Sequence, residues 1–443
     1  MQYTIKSCCS LFFLLVLLLA HTYTHAQSNA QNRCNAFGKG QNLSNWLEAT
    51  WDNTWPSTTR YTKWHLQKMK EAGIQSLRLP IQFAKITDTI APYNVDENHA
   101  LFSRIDTVIA WCNELDLMLI IDNHHGWQIT NSNWRTQQQR FAHLWSVVAK
   151  RYQYLDPNRF TFELLNEPGI PSNGALDNDS LSSLLTVAID SIRQHTTAHS
   201  IIVSPSFGSW GLAYESYTPL ADSNLIYTWH LYDPINFTHQ GFSWNTPFYP
   251  AGLTYPSAGN VYEPALALSW QHIVQWKNTY NKPIFLGEFG VSHFADAQSK
   301  CNWIEYVGTQ ILQHNISWFY WDWAIDFSMF QSGSIDKDSI TPCFKRALRL
   351  YGDTSFTSIQ NSNGENISFT TFPTLLHKGT PLLIETNYEK EYTAELLNIM
   401  GNSLAKKQLS GFKNTIETNL PSGLYFLFIE VEKQRIVKRI VIQ

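Results

Sequence analysis

The stretch "FTFELLNEPG" (residues 160–169) decides how the rest of the chain is read. Its first half has the short apolar pattern of a buried strand, with Phe160, Phe162, Leu164 and Leu165. Its end is polar: Asn166 and Glu167, then Pro168, which cannot extend a hydrogen-bonded ladder. A carboxylate beside an amide at a strand end is costly to bury, so it asks for a chemical reason. One carboxylate is not a mechanism, and a partner has to be found elsewhere. Seven other short segments resemble this one. "FGKGQNLSNW", "IQSLRLPI" and "LMLIIDNHH" precede it, and "SIIVSPSFG", "LIYTWHLY", "PIFLGEFG" and "ISWFYWDWA" follow. Helical periodicity fills the gaps: Phe102, Ile105, Val108, Ile109, Cys112 and Leu115 form one apolar stripe, and Phe141, Leu144, Trp145, Val148 and Tyr152 another. Eight strand–helix units over residues 36–350 predict an α/β fold, a (β/α)8 TIM barrel. An open doubly wound sheet shares the alternation but leaves so many polar strand ends unexplained.

In a barrel the C-terminal strand ends face one mouth, so residues far apart in sequence converge there. Arg78 falls on the second strand, His124 and His125 close the third, and Asn166 and Glu167 the fourth. His230 and Tyr232 close the sixth, Glu288 the seventh and Trp321 the eighth. Glu288 is the partner sought. Two carboxylates flanking a small ligand are the minimum apparatus for hydrolysing a glycosidic bond, one protonated and one ionised. At about 5 Å, like charges resist joint ionisation and hold a proton on one of the two. Arg78 and Tyr232 are placed to keep the other anionic, and Asn166 suits the sugar 2-hydroxyl. His230 and Tyr232, two apart on a strand, share a face. His124 and His125 are neighbours that point to opposite faces, so no metal site is read there and no cofactor is expected. Trp127, His239, Gln240 and Trp244 lie in loops after strand ends, where sugar contact and a structural role read equally well.

With 443 residues and 44% hydrophobic content, the chain is long enough for a barrel plus an appended module. A net charge of −4 gives no electrostatic footprint for nucleic acid. Its 17 Trp and 20 Tyr suit a carbohydrate cleft, though core packing accounts for most of the Trp. Residues 1–26 read as an export signal, with Lys6, an apolar run from Leu11 to Ala20 too short to span a bilayer, and cleavage after Ala26. Export leaves Cys34, Cys112, Cys301 and Cys343, whose pairing stays open and whose spacing is unlike a zinc site. The expected division is a catalytic barrel over 27–352, a Ser/Asn/Gly-rich linker over 353–364, and a small all-β, sandwich-like module over 365–443. In the module, "YTAELLNI", "GLYFLFIEV" and "RIVKRIVIQ" alternate in the strand period.

The barrel resembles glycoside hydrolase family 5. "NEP" and "GEFG" indicate its clan, and "RLP", "HH", "HLY" and "FYW" on the expected strands narrow it to the family. "GQNLSNWLE" is similar to the family's opening "GxNLGNxLE", with Ser44 in place of Gly, and "FTHQGFSW" (237–244) resembles a loop of bacterial endoglucanases. The resemblance implies retaining hydrolysis of a β-1,4-linked polysaccharide, most often cellulose-type glucan. Glu167 would be the acid/base and Glu288 the nucleophile, with Arg78, His124, His125, Asn166, His230, Tyr232 and Trp321 around them. A β-mannanase, another β-glucanase, or a surface carbohydrate-binding protein without chemistry are the alternatives. The tail's "GLYFLFI" and "KRIVIQ" resemble the C-terminal sorting domain of the type IX secretion system, although its early "PNP" is replaced by "TFPTLL". That implies export across an outer membrane, secretion machinery as a partner, and a secreted or surface-attached monomer.

Overall fold

Eight parallel strands pair in sequence order, and the eighth returns to the first to close a barrel. The computed structural model describes residues 29–49, 54–125, 127–170, 174–257, 263–323, 325–330, 340–350, 357–360, 366–372, 375–376, 379, 381–386, 388–432 and 434–442. The expected export signal lies outside them. Among the described residues no helix is long and apolar enough to cross a membrane. The chain divides into two units, the boundary falling between Ile340 and Thr341.

The barrel strands are β1 (Lys39–Asn42), β2 (Ser76–Ile81), β3 (Met118–Asn123), β4 (Phe160–Glu163), β5 (Ile201–Val203), β6 (Leu225–Leu231), β7 (Ile284–Phe289) and β8 (Trp318–Tyr320). The expected apolar stripes lie where the periodicity put them. In the helix Trp134–Tyr152, Phe141, Leu144, Trp145, Val148 and Tyr152 are buried, and in Ala100–Glu114 so are Phe102, Ile105, Val108 and Cys112. A preceding helix, Asn29–Phe37, packs Ala30, Cys34 and Phe37 against Ile120, Ile202, Ile226, Phe285 and Phe319 in one buried cluster. The Phe37 ring lies edge-on to Phe285 and Phe319, with centroids 5.2 and 5.7 Å away. The apolar filling therefore occupies one end of the barrel, which leaves the polar strand ends to the other.

Register sets which polar residues become neighbours. Asn42 lies beside Arg78, Asp122 beside Glu163, and His230 beside Glu288. The last pairing depends on a bulge: Trp229 is opposite Leu286 while the next residue, His230, is opposite Glu288, so Gly287 is the extra residue. A Cβ at Gly287 would collide with the Thr228 hydroxyl, so only glycine fits there.

The second unit carries two sheets, of four strands (β15-β12-β10-β9) and five (β11-β17-β16-β13-β14), where β9 to β17 are Thr357–Gln360, Asn366–Phe372, Leu375–Leu376, Leu382–Thr386, Tyr392–Asn398, Ser403–Leu409, Lys413–Ile416, Gly423–Val431 and Gln434–Ile442. Phe369, Leu382, Ile384 and Ile416 of the first share a core with Ala394, Leu396, Leu427, Ile429, Ile436 and Ile440 of the second. One expectation is corrected here. Thr357–Gln360, inside the stretch read as linker, is a strand paired antiparallel with Asn366–Phe369, because Thr357 and Ile359 supply β-branched residues that the Ser/Asn/Gly composition obscures. Cys34 and Cys112 are free and buried.

Candidate active site

Arg78 is fully buried and organises the barrel mouth. Its Nε and Nη2 donate to the two oxygens of Glu163 at 2.7 and 2.8 Å, a bidentate pair. Its Nη1 donates to Glu288 Oε1 at 2.6 Å and Asn42 Oδ1 at 3.1 Å. Its Nη2 also reaches Asn166 Oδ1 and Asp122 Oδ2, each at 2.9 Å. Glu288 takes a second bond, from the Tyr232 hydroxyl to Oε2 at 3.0 Å. On the opposite side, His230 Nδ1 lies 2.7 Å from Glu167 Oε1 and 3.7 Å from Glu288 Oε2. One ligand atom each of Glu167, His230 and Glu288 lies within 4.8 Å of the others. The sought pair of carboxylates does converge.

Electrostatics couples the pair. Burial pushes both the Glu167 and Glu288 carboxyls up to about 7, against the pull of Arg78 on each and of His230 on Glu288. So close together, the two resist carrying charge at once. Glu288 accepts bonds from a guanidinium and a phenol, which favour its charged form, whereas the partly exposed Glu167 bonds to His230 instead. Burial also holds His230 down to about 4, so its imidazole is neutral and a single proton lies between Nδ1 and Glu167. Glu167 has φ of +40°, a left-handed conformation that side chains other than glycine rarely adopt. Such an outlier at a strand end marks a preset side chain.

His124, Trp321 and Asn166 complete one wall. His124 Nδ1 is 2.6 Å from Asp122 Oδ2, its ring stacks on Trp321 with centroids 5.3 Å apart, and Asn166 Nδ2 approaches its Nε2 at 3.4 Å. A cleft of about 410 Å³ opens beside Glu167, lined among others by Glu48, Gln82, His124, His125, Trp127 and Asn166. Trp127 is largely buried, with the Arg140 guanidinium 4.4 Å from its ring centroid, and contributes one edge to the cleft. His239 lies edge-on to Tyr232 at 4.8 Å and to Trp244 at 5.9 Å, while Trp244 is exposed and stacks on Phe242 at 5.0 Å. Gln240 does not face the cleft. Its side chain is 0% exposed, donating to the Phe237 and Leu253 carbonyls and accepting from the Gly252 and Leu253 amides, so it pins the loop.

Four buried polar residues of the mouth escaped the sequence reading: Asn42, Glu48, Asp122 and Glu163. All four had a signal, Asn42 and Glu48 as fixed positions of the opening motif "GQNLSNWLE". Glu163 is four before Glu167 and Asp122 two before His124, even spacings that put strand residues on one face. Glu48 accepts from the Asn45 and Trp46 amides and is pushed up to about 8 by burial. Ser44, the departure from the opening motif, donates to Asp322 Oδ2 at 2.9 Å and so supports the end of β8.

Comparison with known proteins agrees with this geometry. A family model for cellulase (glycosyl hydrolase family 5) matches residues 21–326, and one for a secretion system C-terminal sorting domain matches residues 380–443. Endoglucanase H of Acetivibrio thermocellus is 25% identical over 68% of this chain and 30% of its own length. Endoglucanase 3 of Fibrobacter succinogenes is 26% identical over 67% of this chain and 51% of its own. The match thus spans a third to a half of those relatives. Thermotoga maritima Cel5A, solved in complex with cellobiose, superposes with a TM-score of 0.63 at 27% identity, covering 72% of this chain and 99% of that one. The same protein has been solved with mannotriose, at 26% identity and a TM-score of 0.62. The chain belongs to glycosyl hydrolase family 5, the cellulase family, and carries a secretion-type C-terminal sorting domain.

Proposed function

We propose that this protein is a secreted endo-β-1,4-glucanase that retains anomeric configuration, with Glu288 as nucleophile and Glu167 as acid/base. The observation that carries the proposal is the close approach of the two carboxylates, within 4.8 Å, with Arg78 and Tyr232 on Glu288 alone. Retaining enzymes hold their carboxyls about 5–5.5 Å apart, whereas inverting enzymes leave about 6.5–9.5 Å for a water. Glu288, kept anionic, attacks the anomeric carbon as Glu167 gives its proton to the departing glycosidic oxygen. The glycosyl–enzyme ester is then opened by a water that Glu167, now a base, deprotonates. Asn166, fixed by Arg78, is positioned for the 2-hydroxyl, and Trp321 and His124 wall the sugar bound at the nucleophile. The tail, as a sorting domain, directs the protein to secretion machinery and the outer surface.

A second reading, a β-mannanase, is favoured by one observation: Thermotoga maritima Cel5A, with 26–27% identity to this chain, has been solved with both cellobiose and mannotriose. Release of reducing ends from carboxymethylcellulose, lichenan, xyloglucan and β-mannan separates the two. The glucanase reading expects carboxymethylcellulose and lichenan to be cut fastest; preferential cutting of β-mannan would replace it with the second.

A further inference from the structure

His230 holds Glu167 by one ring nitrogen, and its other nitrogen has no partner among the described residues. Nδ1 lies 2.7 Å from Glu167 Oε1, while Nε2 is buried and unbonded. A second buried, unbonded atom lies two residues earlier on the same face of β6: the Thr228 hydroxyl. The two converge on one point of β7. A Cβ on Gly287 would collide with Thr228 Oγ1 and come within 3.3 Å of His230 Nε2. The bulge puts Gly287 there, and Asn42 Nδ2 fixes it by donating to the Gly287 carbonyl at 3.0 Å. The Tyr214 hydroxyl donates to the Thr228 carbonyl at 2.6 Å, so the backbone that carries the hydroxyl is pinned as well. Buried polar atoms are rarely left unpaired, and two that border the same point call for a common solution.

The chemistry at Glu167 decides which nitrogen carries hydrogen. The imidazole is neutral, held so by burial, so one nitrogen donates and the other accepts. In the second half of a retaining cycle Glu167 is a carboxylate. A bare Nδ1 would then turn its lone pair on a carboxylate oxygen 2.7 Å away, whereas Nδ1–H donates to it. The same Nδ1–H serves the first half, since it occupies Oε1 and leaves the acid's proton on Oε2 for the departing oxygen. Nε2 is therefore an acceptor in both halves and needs a donor. The charged and titrating groups around the ring are Arg78, His124, Glu163, Glu167 and Glu288. Arg78 spends its donors on carboxylates and on Asn42 and Asn166, not on Nε2.

We propose that Thr228 is a positioning residue whose hydroxyl donates to His230 Nε2 and so keeps the ring's hydrogen on Nδ1, facing Glu167. The inference rests on the reading of Glu167 as acid/base. The hydroxyl hydrogen turns freely, and one bridging water extends its reach. Without the hydroxyl, Nε2 is a stranded acceptor while Glu167 is protonated. The ring's hydrogen then shifts to Nε2, and the bare Nδ1 ties up the acid's proton.

The test compares the unmodified protein with Thr228→Val, which keeps the shape and loses the donor, and Thr228→Ser, which keeps the donor. The substrates are cellotetraose and a dinitrophenyl β-cellobioside, whose leaving group needs little acid. Thr228→Val should lower kcat/KM on cellotetraose roughly tenfold, part of the ~100–10,000-fold that a general acid supplies. Loss on the dinitrophenyl substrate should stay below twofold. The basic limb of the pH profile should move to higher pH, because a carboxylate that loses a donor holds its proton longer. Thr228→Ser should restore both. Nitrogen-15 NMR of labelled histidine reads the tautomer without turnover, with His230 identified by the signals absent from His230→Gln. Hydrogen should sit on Nδ1 in the unmodified protein and the serine variant, and be shared with Nε2 in the valine variant. Unchanged or raised melting temperatures would show that the variants fold. Hydrogen on Nε2 in the unmodified protein, equal losses on the two substrates, or a valine variant with full activity would overturn the proposal. An unmodified protein that cleaves neither substrate would sink the activity reading instead, and the NMR would still decide the tautomer.

Discussion

At the residue scale, Arg78 does what no other side chain can. Its planar fork meets Glu163 with two parallel bonds while also donating to Glu288, Asn42 and Asn166. Lysine offers a point charge and three donors, so Arg78→Lys cannot keep both the bidentate pair and the bond to Glu288. That substitution should lower kcat on an aryl β-cellobioside by roughly 100- to 1,000-fold, the range for losing a preorganised donor in a closed site. A loss below tenfold would mean that Glu288 is held without the guanidinium. The sequence made Glu167, Glu288 and Tyr232 legible because each closes an apolar segment, and Arg78 because a lone charge inside one stands out. Asp122 and Glu163 were harder to see. They sit inside segments that look like plain strands, and only their cross-strand register brings them to Arg78.

At the scale of elements, β7 shows how backbone and chemistry depend on each other. The bulge at Gly287 turns Glu288 alongside His230, and Gly290 lets the chain pass the Trp321 carbonyl, where a Cβ would collide. The motif "GEFG" is therefore two packing requirements around one carboxylate. A bulge has no periodicity signal, so neither glycine's role could be read before the register was known. The final strand of the tail breaks its own pattern. Ile436, Lys438, Ile440 and Ile442 all face the core, and the Lys438 amine is buried with no partner among the described residues, pushed down to about 8 by burial. The alternation in "RIVKRIVIQ" predicts the strand correctly but gives no reason for a lysine there. Replacing Lys438 with Leu should remove an unpaired buried polar group and stabilise the tail by about 1–3 kcal/mol. Urea unfolding of the tail would measure this; an unchanged or lower stability would show that the amine has a partner.

For the whole molecule, the barrel buries two opposed sets of titrating groups. Burial raises the Glu48 carboxyl to about 8 and those of Asp122, Glu167 and Glu288 to about 7. It lowers the His239 imidazole to about 3 and those of His199 and His230 to about 4. A raised carboxyl contributes stability that is full below its unfolded value, about 4.3, and is lost as pH rises through 7 to 8. A lowered imidazole contributes stability that is full above about 6.5 and is lost as pH falls through 4 to 3. Between these limits the two losses oppose each other. The barrel's melting temperature should therefore be nearly flat from about pH 4.5 to 6.5 and fall on both sides. Calorimetry across pH 3.5–9 checks this, and a melting temperature that climbs steadily from pH 5 to pH 8 would contradict it. The barrel itself was legible early because eight strand–helix units, six of them with functional strand ends, constrain topology more tightly than any one segment does. The strand at 357–360 was not, since its pairing partner lies beyond a composition typical of linkers.

The account turns on which carboxylate bonds to the sugar. A 2-deoxy-2-fluoro-β-cellobioside with a dinitrophenolate leaving group forms the glycosyl–enzyme and hydrolyses it slowly, so peptide mass spectrometry can locate the ester. The prediction is one fluorocellobiosyl adduct, on Glu288, with Glu167 unlabelled. An adduct on Glu167, or no adduct from protein that still hydrolyses aryl β-cellobioside, would contradict it.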